Sequence, residues 1–123
     1  MSIAFLLVAS GAATALAGLL AFLAPARVFR LAFATEAADG PTLFLARHWG
    51  VLLFVVGALI VYSAGAPAAR APILAAASLE KFAAVAMLFL GLVRPTALLT
   101  ATLAADGVLA VFYVAVIAGF GGP

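Results

Sequence analysis

Apolar residues run almost unbroken along this chain, interrupted at a few places by prolines, glycines and charges. Four runs reach the ~20 residues, at ~1.5 Å each, that a hydrocarbon layer of ~30 Å requires. They cover about 3–24, 43–63, 72–93 and 95–119. Pro25 ends the first. Gly40-Pro41-Thr42 leads into the second, and Gly65-Ala66-Pro67 follows it. Pro72 suits the first turn of the third, and Pro95 opens the fourth before Gly121-Gly122 closes it. The pattern predicts an all-α fold: an integral membrane four-helix bundle, up-down-up-down and antiparallel, as a single transmembrane domain over residues 1–123.

The connections differ. Residues 25–42 read as the one long loop and hold Arg27, Arg30, Glu36 and Asp39, whereas 64–71 read as a short turn with only Arg70. Arg94-Pro95 is all that joins the third and fourth runs, so those two form an antiparallel hairpin. The first run lacks a basic leader and is longer than the ~7–15 apolar residues of a signal peptide, so it reads as a retained span. Arg27, Arg30, Arg47 and Arg94 fall on one side of the membrane and Arg70 on the other. The richer side is expected in the cytoplasm, with both termini outside and the protein in the inner (cytoplasmic) membrane.

Composition sharpens this picture. Of 123 residues, 69% are hydrophobic and 8% charged, against roughly a quarter charged in a soluble domain. Lipid must therefore solvate most side chains. The net charge of +2 rests on six basic and four acidic residues, with no basic stripe to neutralise phosphates, so nucleic acid is not an expected partner. The absence of cysteine excludes disulfides, thiol catalysis and thiolate metal sites.

Charges at membrane depth are the informative residues, because each costs ~2.5–3.5 kcal/mol near the bilayer centre. Glu80 and Lys81 lie in the third run and Asp106 in the fourth, at matching depth on adjacent antiparallel helices. Lys81 is turned ~100° from Glu80 and is too deep to snorkel, so a carboxylate is its expected partner. In the second run, Arg47 can snorkel to headgroups and Trp49 suits the aromatic belt, while His48 reads either as a structural group or as a functional one. Thr102, Asp106, Ala110 and Tyr113 share a face of the fourth run; Ser10, Thr14 and Gly18 share one on the first, and Ala76, Glu80 and Ala84 on the third. These faces should point inward together, bringing Thr14 to the depth of the two acids.

The cluster has two readings. A Lys81 ion pair with Glu80 or Asp106 would simply fix helix register. Two acids and one lysine also leave one negative charge, to be neutralised by a proton or by His48 or Arg47 reaching in. A carboxyl held that way suits proton transfer. Asp106, Glu80 and His48 are thus the candidate catalytic groups, and Lys81, Arg47, Trp49, Tyr113, Thr14 and Thr102 the candidate ligand-binding ones. A single histidine cannot build a histidine-ligated metal or bis-histidine haem site, and neither a nucleophile elbow nor a phosphate loop is present. No cofactor and no metal are expected.

Ala46-Arg47-His48-Trp49-Gly50 opening the second run, Gly57 one heptad later, Glu80-Lys81 and Asp106-Gly107 together resemble the DoxX-like group of small bacterial four-helix membrane proteins. The resemblance covers most of the chain by layout and implies the fold rather than a defined reaction. A likeness of residue types to the sterol-isomerase-like (EXPERA) domain implies His48, Glu80 and Asp106 as acid–base groups. The small multidrug transporters carry their essential acid in the first helix, which here has no charge.

Three functions follow as expectations. The leading one is a bundle with a mid-membrane polar pocket that binds a lipid or other hydrophobic small molecule. The second is an intramembrane acid–base enzyme, an isomerase or cyclase of a terpenoid or sterol-like substrate. The third is a structural subunit of a larger membrane complex. Four short helices enclose little volume, so the first two also imply a homo-oligomer.

Overall fold

In the computed structural model, which describes residues 2–36 and 39–120, three of the four long helices begin at a side chain that satisfies a loose backbone amide. Helix α1 (Ile3–Leu23) begins where the Ser2 hydroxyl accepts the Phe5 amide at 3.1 Å. Pro25 cannot continue it and instead occupies the first turn of α2 (Pro25–Phe33). The Asp39 carboxylate accepts the Thr42 amide at 2.7 Å and caps α3 (Gly40–Ala64). At the far end of α3, the Arg70 guanidinium donates to the carbonyls of Ser63 at 3.0 Å and Ala64 at 2.9 Å. Helix α4 (Pro67–Phe89) gives way to Gly91, whose φ of 72° suits glycine. Thr96 then caps α5 (Ala97–Ile117) by accepting the Leu99 amide at 3.1 Å.

The protein is therefore all-α, and α1, α3, α4 and α5 are each long and apolar enough to cross a membrane. Three sequence expectations are corrected. The region 25–42 is not one loop, because nine of its residues form α2. Pro72 does not start the third long helix. That helix begins at Pro67, and Pro72 lies inside it, where it has no N–H to donate to the Ala68 carbonyl. Arg94-Pro95 is not the whole link to α5 either, since α4 ends at Phe89 and residues 90–96 make the turn.

Between lipid-facing helices there is no hydrophobic driving force, so close packing must hold them. Glycine supplies it at the α1–α3 crossing. A methyl group built on Gly11 would stand 2.7 Å from the Gly57 carbonyl oxygen, and one on Gly50 would stand 2.6 Å from that of Gly18. The pairings Gly11–Gly57 and Gly18–Gly50 run in opposite directions, so the helices are antiparallel with backbones in contact. Helix α5 packs antiparallel on α4, and α3 also packs on α4. Leu7, Ile60, Leu74, Ala77 and Tyr113 fill the space between the four. Outside, large apolar side chains such as Phe89 (84% exposed), Leu79 (72%) and Val108 (70%) cover the surface, as a lipid environment demands.

Candidate functional site

The polar side chains of the bundle converge where α1, α4 and α5 meet. On α4, Leu74, Ala77, Ser78 and Lys81 form the buried face. Lys81 is 1% exposed, and its Nζ donates to Asp106 Oδ1 at 2.9 Å and to Thr14 Oγ1 at 3.4 Å. The Thr14 hydroxyl in turn donates a hydrogen bond to the Ser10 carbonyl at 3.0 Å. The Tyr113 hydroxyl, fully buried, donates to Ser10 Oγ at 2.8 Å. Ser78 reaches across to the Ala110 carbonyl at 3.4 Å, tying α4 to α5 beside the ion pair. Ser10 and Thr14 sit on α1 one turn apart, so one face of α1 receives both the ammonium and the phenol.

Glu80 stands apart. Its neighbour Lys81 points inward, while Glu80 lies half-buried at the margin of that face. One carboxylate oxygen, Oε2, is buried and has no hydrogen-bond partner among the described residues. The inward face expected through Ala76, Glu80 and Ala84 is thus rotated by one residue, and Ala76 is exposed. Lys81 decides this, since only its placement inside lets a long cation reach Asp106. With Lys81 and Asp106 joined, the surplus acid is Glu80.

The other sequence candidates divide. Thr14 and Tyr113 are in the cluster, whereas Thr102 is exposed and donates to the Leu98 carbonyl of its own helix at 2.8 Å. Arg47, His48 and Trp49 are all exposed, and His48 stacks on Phe44 at 6.4 Å. Neither His48 nor Arg47 reaches in to neutralise an acid. Helix periodicity explains it: the inner face of α3 runs through Gly50, Leu53, Gly57 and Ile60, and His48 lies ~200° around from Gly50. Ser78 escapes the sequence pattern, although it precedes Lys81 by one helical turn. Among the described residues, no three His, Asp or Glu are grouped so as to hold a metal ion.

An apolar hollow of ≈ 130 Å³ lies elsewhere, on the α1–α3 crossing, lined by Phe22, Phe54 and the Gly18–Gly50 pair among others. It lies beside the glycine contact, where Phe22 and Phe54 flank the touching backbones.

Compared with family models, curated proteins and solved structures, the chain matches none.

Proposed function

We propose that this protein is a small multi-pass membrane protein that binds a lipid or other hydrophobic small molecule bearing one hydrogen-bonding group, held at the polar cluster by Glu80. The observation that carries this reading is the buried, unpartnered Glu80 Oε2. An unmet buried acceptor costs ~1–3 kcal/mol, which a ligand hydroxyl, amide or similar donor would recover. The Lys81–Asp106 pair beside it is self-sufficient and serves to fix the cluster's geometry. The Asp106 side chain keeps 22% of its surface exposed, so the cluster is not sealed inside the bundle.

An acid–base enzyme acting on a terpenoid or sterol-like substrate would use the same carboxyl, since Asp106 is occupied by Lys81 and Glu80 is not. The two readings part at one position. Glutamine can donate and accept hydrogen bonds but supplies no acidic proton, and leucine does neither. Mass spectrometry of gently extracted wild-type protein should find a stoichiometric apolar molecule, retained by Glu80→Gln and lost from folded Glu80→Leu. Turnover of that molecule by wild type and not by Glu80→Gln would make the protein an enzyme. A stoichiometric protein partner with no small molecule would instead favour a subunit of a larger complex, with the cluster as structural glue.

The arginines Arg27, Arg30, Arg47 and Arg94 gather at the end where α1 stops and α5 starts, which supports a cytoplasmic assignment for that end. The DoxX-like layout belongs to the same proposal. Its support is that Gly50, Gly57, Lys81 and Asp106 are the residues at which helices touch or pair.

A further inference from the structure

Helix α2 is too short to cross a membrane and sits across the arginine-rich end of the bundle, touching α1, α3 and α5. Val28, Phe29, Ala32 and Phe33 turn toward the protein, while Arg27 and Arg30 face out. The Thr96 hydroxyl donates to the Ala32 carbonyl at 2.6 Å while its oxygen caps α5, so one side chain fixes α2 against the turn between α4 and α5. Between them lies an open groove of ≈ 510 Å³ lined by Phe29, Phe33, Ala34, Thr35, Val93 and Arg94. That size falls within the ~300–1,000 Å³ of ordinary ligand sites.

We propose that this groove binds one anionic phospholipid, its phosphate on Arg94 and the upper part of an acyl chain along Phe29, Phe33 and Val93. Charge complementarity selects the occupant. Four arginines stand at this end against two acids, Glu36 and Asp39. Both acids are engaged, because Glu36 lies 3.6 Å from Arg30 and Asp39 caps α3. Among the described residues no carboxylate lies within 4.0 Å of Arg94, so its guanidinium is available at the mouth of the groove. A planar guanidinium takes a phosphate by two parallel hydrogen bonds, and neighbouring aromatic faces take the chain below it. An amphipathic helix with outward arginines belongs at the headgroup level, where such a lipid is already present. This inference is independent of the guest proposed for Glu80, which lies further along the helices.

The test is native mass spectrometry of the full chain titrated with phosphatidylglycerol and with phosphatidylcholine of the same acyl chains. One phosphatidylglycerol per chain should be retained in preference to phosphatidylcholine. Arg94→Gln should weaken that retention about tenfold, as expected for a lost charge-assisted pair. Arg27→Gln, which removes an equal charge from α2 outside the groove, should leave it unchanged, and Phe33→Ala should weaken it. Circular dichroism confirms that each variant keeps its helices. Equal retention of the two lipids, or equal losses in Arg94→Gln and Arg27→Gln, would overturn the proposal, the second by reducing it to general surface charge.

Discussion

Lys81 Nζ lies 2.9 Å from Asp106 Oδ1, and no other carboxylate among the described residues comes within 4.0 Å of it. The pair is therefore exclusive, and it sits close to the midpoint of α5. Losing one partner strands a charge among apolar side chains, which costs about 3–5 kcal/mol. Lys81→Met or Asp106→Leu alone should each lower stability by that order in denaturant titrations in detergent. The double variant should recover most of the loss. Additive losses would mean that the two side chains do not depend on each other.

The glycine crossing predicts a different pattern. A methyl group at Gly57 would meet the Gly11 carbonyl oxygen at 2.5 Å, and backbone atoms cannot move aside as a flexible side chain can. Gly57→Ala and Gly18→Ala should each destabilise the protein by about 1–3 kcal/mol or more, the range of overpacked cores. Gly65 at the end of α3 has open space around it, so Gly65→Ala should change stability little in the same titration.

The Asp39 cap predicts a pH response confined to one helix end. The hydrogen bond from Thr42 holds the Asp39 carboxyl below its ordinary value of 3.8. A depressed folded-state value means the cap contributes fully above 3.8 and is lost as pH falls through the lower value. The Thr42 amide resonance should therefore titrate with a midpoint below 3.8 in the wild type. In Asp39→Asn, which caps helices without a proton to gain, that titration should vanish. A midpoint at or above 3.8 would show that the bond does not persist in solution.

Much of the architecture can be read directly from the chain, because length and apolarity alone mark the four spans. A carboxylate partner for Lys81 is also legible, since a deep lysine has few places to go, but the sequence leaves the choice between Glu80 and Asp106 open and the structure pairs it with Asp106. What escapes the sequence is rotational and local. Glu80 and Lys81 are adjacent, so a small turn of α4 decides which of them enters the bundle, and the surrounding alanines give no preference. Helix α2 begins with Pro25 and carries two arginines in nine residues, which resembles a loop until its apolar face finds α5. Pro72 looks like a helix start because proline favours first turns, yet Pro67 had already opened the same helix. The Gly11–Gly18 spacing matches Gly50–Gly57 residue for residue, a signal the sequence offers only when the two runs are compared.

Lys81 and Asp106 belong to consecutive helices, joined by residues 90–96. Their pairing thus bears on biogenesis as well as on the finished bundle. A hairpin that contains both partners can leave the insertion machinery with its one deep cation already compensated, without waiting for α1 or α3. Only neutral groups, Thr14 and Ser10, then remain for α1 to offer when it docks, so the order of assembly is written into which helices carry the charges.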